Sequence, residues 1–417
     1  MPTSSARPAP PPEPPPGQPS PFEEAPFLVI WETTRSCDLA CKHCRAEACP
    51  IREPDELSTF EAKKMLDEVR EFGPIVFVFS GGDCLKRPDI FELTAHAANL
   101  GLRVAATPAA TPLADRERLE RFRDAGLARL AVSIDSASDA IHDDFRGVPG
   151  AWDQAVRVLE EARDAGLSTQ INTVVAHHNF DDLEAMAALA ERLGIVFWEV
   201  FFLVPVGRAR PEDVVGADAF ERTLRWLHRR GETLPFDVKA TAAPHCHRVA
   251  WQEAAKADRA ARRAGSPPGA VSATQMPGAR RSRHAGRVQR DGIGRARGVN
   301  DGDGFVFVGR KGEIQPSGFL PITVGNVRRD GLARTYREAP LMRALRDRDR
   351  LKGKCAVCAF RGICGGSRAR AWAMTGDPTE SEPCCAYVPP RYKEAVARGD
   401  AEPVASYFAR RLARLQA

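Results

Sequence analysis

Cys37-Asp38-Leu39-Ala40-Cys41-Lys42-His43-Cys44 is the stretch from which the organisation of this chain can be read. Its three thiols, spaced CxxxCxxC, suit three corners of a cubane iron–sulfur cluster, which Cys thiolates hold. A [4Fe–4S] cluster has four irons, and the local set stops at three because Cys49 lies outside the repeat. An iron without a protein ligand is an open coordination position, and an open position on a metal is where chemistry happens. A structural zinc site shows paired CxxC or CxxC…HxxxH knuckles, which this spacing is not.

The flanking sequence has a regular rhythm. Pro26–Thr34 reads as a buried strand that delivers the cysteine loop at its C-terminal end. Ser58-Thr59-Phe60-Glu61 is a capping box opening a helix to about Phe72, followed by a strand at Ile75–Phe79. Helices at Asp89–Leu100, Asp115–Ala125, Trp152–Ala165 and Asp182–Leu193 then alternate with strands at Leu102–Ala106, Arg129–Ile134, Thr169–Val175 and Phe197–Leu203. Gly101, Gly126, Gly166 and Gly194 supply helix stops. Six strands alternating with helices predict an α/β fold with a parallel sheet and right-handed crossovers. A further helix is expected at Ala217–Arg230.

Around this core the composition changes. Residues 1–21 are mostly Pro, Ser and Ala and read as a disordered tail. Residues 22–235 form the core, and 236–303 a connector whose Ala254–Gly298 stretch is a basic flexible linker, with some helix near Ala254–Arg263. Residues 304–390 form a small cysteine-bearing domain that opens with a hairpin at Phe305–Val308 and Lys311-Gly312. Residues 391–417 end the chain, with an amphipathic helix at Asp400–Ala417. The chain has 417 residues and 43% hydrophobic content, enough for a sizeable core. Apolar runs such as Ile75–Phe79 and Val200–Val204 are too short to span a bilayer. No basic segment followed by an apolar one opens the chain, so a cytoplasmic location is expected. Eleven cysteines there point to metal. The net charge of +5 is concentrated between Lys256 and Arg297, a local feature and not a nucleic-acid footprint.

A second cysteine group comprises Cys355, Cys358 and Cys364, with Cys384-Cys385 downstream. Spacing alone fits an auxiliary [4Fe–4S] cluster or a four-Cys zinc knuckle equally well.

CxxxCxxC followed by Ser80-Gly81-Gly82-Asp83 behind the second strand resembles the signature of the radical S-adenosylmethionine (SAM) superfamily. The resemblance implies a partial (β/α)6 barrel, a SAM-binding [4Fe–4S] cluster on Cys37, Cys41 and Cys44, and reductive cleavage of SAM to a 5′-deoxyadenosyl radical. It implies that the aromatic His43 packs near the adenine, and that Ser80, Gly81, Gly82 and Asp83 meet the SAM amino group through their backbone. Asp83 stands where the family has Glu, and Cys84 where it has Pro. Ser133 and Arg146 are implied at the SAM carboxylate, Asn172 at the ribose, and Pro205 in the segment closing over adenine.

The C-terminal cysteines resemble a SPASM domain, which implies an auxiliary [4Fe–4S] cluster. Full SPASM domains carry two, but Ser317 and Arg368 stand where the inner cluster's cysteines would be, so one is expected. In resembling enzymes a single Cys precedes an aromatic, Pro-terminated segment, which Cys385-Ala386-Tyr387-Val388-Pro389 preserves. The implied ligands are Cys355, Cys358, Cys364 and Cys385, with Cys384 a packed thiol. Pro316–Pro321, Gly325–Arg328, Leu351–Cys355 and Cys364–Ala371 resemble the radical SAM enzymes of heme d1 and siroheme-dependent heme synthesis, which act on carboxylate side chains of an iron porphyrin. His245 matches a Pro-His pair of those enzymes, and Arg208, Arg210, Arg368 and Arg370 are candidates for substrate carboxylates.

Three functions compete. Hydrogen abstraction from a tetrapyrrole side chain is favoured. Maturation of a ribosomal peptide is the alternative, weakened because the 36 residues before Cys37 are Pro-rich. A non-catalytic electron-transfer protein is the third, for which an open-site cluster has little use. The expected partners are a small-molecule or peptide substrate and a reductase, ferredoxin or flavodoxin as electron donor.

Overall fold

A computed structural model of the chain describes residues 20–264, 291–293 and 298–407. Residues 1–19 of the expected tail (1–21), most of the basic linker and the end of the terminal helix lie outside the described residues. Strands β1 (Leu28–Glu32), β2 (Val76–Ser80), β3 (Arg103–Ala106), β4 (Arg129–Ser133), β5 (Ser168–Val175) and β6 (Phe197–Phe202) lie side by side in chain order, all parallel. Between them run α1 (Thr59–Val69), α2 (Ile90–Asn99), α3 (Arg116–Asp124), α4 (Asp139–Arg146), α5 (Ala151–Asp164) and α6 (Leu183–Leu193). Ser58 and Glu61 cap α1 reciprocally, as their spacing predicts. The α4 helix was not expected; Gly147 ends it in the left-handed conformation.

Strand side chains alternate between faces. Trp31, Phe77, Phe79, Val132, Ile171 and Trp198 point outward into one large core under the helices. The inner face carries polar groups instead. Register sets Glu32 beside Ser80 and Ser133 beside Asn172. The C-terminal ends of the strands therefore present hydrogen-bonding side chains to the barrel interior.

The sheet extends beyond the six expected strands at both edges. After α7 (Ala217–Arg230), β7 (Asp237–Thr241) adds in parallel to β6. It precedes α8 (Cys246–Arg263), which begins eight residues before the helix expected in the linker. At the other edge, β8 (Asn300–Asp301) leads into β9 (Gly304–Val308), which pairs in parallel with β1. The expected hairpin follows through β10 (Glu313–Gln315), and β11 (Gly325–Asn326) pairs with β10. The cysteine-bearing C-terminal region thus shares its sheet with the core. Residues 291–293 close the lower end of the barrel: Ile293 packs against Val76 and Ala105, and buried Asp291 meets Arg129 at 2.7 Å. A helix at Pro390–Arg398 ends at Gly399; of the predicted terminal helix, residues 404–407 are described and helical.

Candidate active site and auxiliary metal centre

The cysteine loop leaves the C-terminal end of β1, where the fold expectation places it. Its base is tied by Cys37 N–H donating to the Cys49 carbonyl at 2.9 Å and Cys49 N–H to the Arg35 carbonyl at 3.2 Å. All three repeat thiols accept hydrogen bonds from N–H donors. Leu39 N–H donates to Cys37 Sγ at 3.4 Å, Ala48 N–H to Cys44 Sγ at 3.4 Å, and Arg146 Nη1 to Cys41 Sγ at 3.7 Å. Such donors stabilise thiolates and tune a cluster bound to them. Cys49 differs, its thiol donating outward to the Ile51 carbonyl. Burial pushes the Cys37 thiol up to about 12, so its ligating thiolate form needs the positive charge of a metal beside it. The donor set therefore fits a three-thiolate iron–sulfur cluster.

Gly81 and Gly82 lie directly beneath this loop. A Cβ on Gly82 would stand 2.5 Å from the Ser36 carbonyl oxygen and 2.6 Å from that of Arg35, and one on Gly81 would stand 2.7 Å from that of Thr34. Gly82 N–H and Asp83 N–H donate to the Thr34 and Ser36 carbonyls at 2.8 and 2.7 Å. The glycines are thus required by close approach to the cluster loop itself, where the sequence suggested close approach to a ligand. Ser80 ends β2, its carbonyl accepting from the Thr33 N–H and hydroxyl. The buried Asp83 carboxylate accepts from Thr111 Oγ1 at 2.7 Å, Leu85 N–H at 3.1 Å and Ala109 N–H at 3.4 Å. Its side chain braces the loop after β3.

Arg146, from the end of α4, is buried against the cluster loop. Its partner is fully buried Asp135 at 2.6 Å. Burial opposes charge on Asp135, yet Arg146 and the neighbouring histidines hold its carboxyl below the ordinary carboxylate range. His43 stacks on Phe145 with ring centroids 4.0 Å apart and planes 7° apart, and Phe145 in turn meets His178 at 4.0 Å. Burial pushes His43 down to about 3, so it is a neutral aromatic side chain at neutral pH. Asp135 and Phe145 were missed as site residues, although Asp135 lies two residues after Ser133 and Phe145 directly before Arg146.

Ser133 ends β4 and pairs in register with Asn172 inside β5. Asn172 Oδ1 accepts from Gln170 Nε2, which also reaches Glu199 Oε2 at 3.1 Å. Glu199 is held by Lys239 at 2.9 Å and Thr241 at 2.6 Å. This network from β5 to β7 lines the interior below Ser133 and Asn172 and was not foreseen. Pro205 begins the segment after β6 that closes on the cluster loop: Arg208 N–H donates to the Cys44 carbonyl at 3.1 Å. A Cβ on Gly207 would stand 2.5 Å from that same oxygen. Of the four arginines considered for substrate, three are engaged by protein. Arg210 pairs with Glu212 and Asp213. Arg368 donates to the Pro378 and Glu380 carbonyls. Arg370 donates to the Leu203, Phe202 and Ala242 carbonyls and pairs with Glu382. In Arg208, Nε and one terminal nitrogen are enclosed without a hydrogen-bond partner among the described residues.

The second site is a cavity, partly open to solvent, lined by Cys355, Cys358, Cys364 and Cys385. Cys384 is turned away and packed in the main core. Glu382 N–H donates to Cys355 Sγ at 3.4 Å and Arg248 Nη2 to Cys385 Sγ at 3.9 Å. Arg248 and Lys354 line the same cavity, positive charges suited to a four-thiolate group. Ser317 and Arg368 face protein groups: Ser317 Oγ donates to Asp301, whose other oxygen accepts from Ala369 N–H at 2.8 Å. His245 lines this cavity, its ring tilted against Phe220 with centroids 4.5 Å apart.

Comparison with known proteins agrees with this geometry. Residues 31–190 match the Radical SAM superfamily. The AdoMet-dependent heme synthase of Nitratidesulfovibrio vulgaris is 38% identical over 369 residues, covering 87% of this chain and 93% of that protein. The pre-heme d1 synthase of Dinoroseobacter shibae is 28% identical, covering 90% of this chain and 88% of its own. Streptococcus suis SuiB bound to S-adenosylmethionine superposes with a TM-score of 0.59 at 15% identity, over 87% of this chain and 78% of that one. No helix among the described residues is long and apolar enough to cross a membrane.

Proposed function

This chain belongs to the radical SAM superfamily, and we propose that within it the enzyme abstracts hydrogen from a carboxylate-bearing side chain of an iron tetrapyrrole. The observation that carries the substrate reading is the 38% identity, across 93% of its length, to an AdoMet-dependent heme synthase. Its cofactors are SAM and a [4Fe–4S] cluster, which together supply a 5′-deoxyadenosyl radical when bound and reduced.

The chain's own residues divide the work. Cys37, Cys41 and Cys44 hold the SAM-binding cluster, and Arg146 donates to Cys41 while balancing Asp135. Gly81 and Gly82 keep the β2 turn against the loop so that its carbonyls face the SAM amino group. Ser133 and Asn172 offer side-chain donors for SAM at the mouth of the barrel. His43 provides a neutral ring beside the adenine, and the Pro205 segment closes over it. Arg208 is the cation free to meet a substrate carboxylate, since a bidentate guanidinium–carboxylate pair fixes orientation as well as charge. Cys355, Cys358, Cys364 and Cys385 hold the auxiliary cluster. Electrons come from a reductase, ferredoxin or flavodoxin in the cytoplasm.

The test is anaerobic reconstitution with SAM and reductant, followed by product analysis against a panel of iron porphyrins that includes Fe-coproporphyrin III. A side-chain mass loss matched by 5′-deoxyadenosine formation is expected. SAM cleavage that leaves every tetrapyrrole unchanged, with modification of a peptide instead, would refute the substrate assignment.

A further inference from the structure

The most anomalous polar group outside the SAM site is His245. It is 1% exposed, and neither ring nitrogen has a hydrogen-bond partner among the described residues. An imidazole in any protonation state carries at least one N–H. Leaving a buried donor unpaired carries its full desolvation cost, and here the acceptor nitrogen is also without a partner. Fold stability alone offers no reason to keep such a residue. Phe220 holds one face of the ring, and His245 directly precedes α8, whose first turn also delivers Arg248 to Cys385. The ring shares its cavity with all four cysteines of the second group.

We infer that His245 donates its N–H to a sulfur of the auxiliary cluster, and so raises the potential at which that cluster accepts an electron. The inference rests on the auxiliary-cluster reading above. The missing partner is then the cluster itself, whose sulfur atoms gain negative charge on reduction. A hydrogen bond to that sulfur stabilises the reduced form more than the oxidised one, and such bonds are among the determinants of cluster potential. His245 acts here as a positioning and tuning group; the four cysteines already satisfy the irons.

The experiment uses the full chain with Cys37, Cys41 and Cys44 replaced by Ala, so that only the auxiliary cluster remains. About four irons per chain in this background establishes that cluster independently of His245; none would sink the auxiliary-cluster reading and the inference with it. His245→Phe then removes the donor while keeping a ring against Phe220, and His245→Gln retains an N–H. Redox titration followed by EPR should show the Phe variant shifted to more negative potential. The expected shift is about a tenfold change in the reduced-to-oxidised ratio at fixed potential, or ~59 mV for one electron. The Gln variant should stay near its parent. Pulsed EPR of the reduced parent cluster, labelled with 15N-histidine, should show a nitrogen coupling, a readout that survives if the Phe variant fails to fold. An unchanged potential in His245→Phe would overturn the inference. So would absence of the coupling, or an EPR signature in the Phe variant of a lost iron ligand.

Discussion

Replacing Arg146 by Met tests whether the buried Asp135–Arg146 pair serves the fold, the cluster or both. Asp135 is fully buried and Arg146 is 8% exposed, so solvent does little to screen the 2.6 Å pair. Without the guanidinium, the Asp135 carboxylate keeps the Val174 N–H at 2.9 Å and the neighbourhood of neutral His142, which burial holds at about 4. Neither supplies a positive charge at neutral pH. Removing one member of a buried pair costs about 3–5 kcal/mol, whereas replacing both by neutral groups is often close to neutral. Arg146→Met should therefore lose ~3–5 kcal/mol, and the double variant with Asp135→Asn should recover at least half.

The assay is anaerobic urea unfolding of the reconstituted protein, followed by tryptophan fluorescence. SAM cleavage measured on the same samples adds the second readout. The double variant regains the fold, yet Cys41 still lacks its cationic donor, so 5′-deoxyadenosine formation should stay well below the parent's. A loss under ~1 kcal/mol in Arg146→Met, or a double variant no more stable than the single, would refute the buried-pair argument. Full recovery of SAM cleavage in the double variant would refute the role at Cys41.

Four further outcomes follow from named contacts. Gly82→Ala places a methyl within 2.6 Å of two carbonyl oxygens of the loop that carries Cys37; backbone cannot step aside, so a cost of about 1–3 kcal/mol should come with loss of the SAM-binding cluster absorbance. Replacing Cys37, Cys41 and Cys44 together by Ala should abolish 5′-deoxyadenosine, while the parent chain should bind about eight irons, counted by iron analysis. Cys385→Ser should lose the auxiliary cluster and Cys384→Ser should keep it, read from iron content; the reverse pattern would move the fourth ligand. Arg328, then the Ser58 backbone N–H, hold Glu61 at about 2, below its ordinary 4.5; the stabilisation this gives is present above 4.5 and lost as pH falls toward 2. Glu61→Gln should flatten acid unfolding in that window, and because the pair is near the surface, salt should weaken the effect.

What the sequence made legible was whatever depends on neighbours along the chain. The CxxxCxxC loop, the Gly-Gly turn and the apolar strands each announce themselves within a few residues, and β1 to β6 follow from them. β7 escaped because Asp-Val-Lys-Ala-Thr has no apolar run: every residue of it is partly exposed, and its Lys239 and Thr241 side chains turn toward Glu199. A strand that lines a polar barrel interior does not look like a buried strand. The same reasoning covers the site. Arg146 was recognised by motif, but its buried partner Asp135, just after β4, is set by the fold of α4 back onto the sheet and not by any neighbour along the chain. Arg45 and Arg310 converge on Glu32 at 2.7 and 3.0 Å although Arg310 lies far along the chain, and that closure ties the C-terminal hairpin to the cysteine loop. Spacing alone left Cys384 and Cys385 equal, and only the resemblance singled out Cys385. Packing separates them, one entering the core and the other the cavity. His245 is the clearest case of this limit. A Pro-His pair in a loop says nothing about which centre it serves; only the fold sets it beside the second group of thiols.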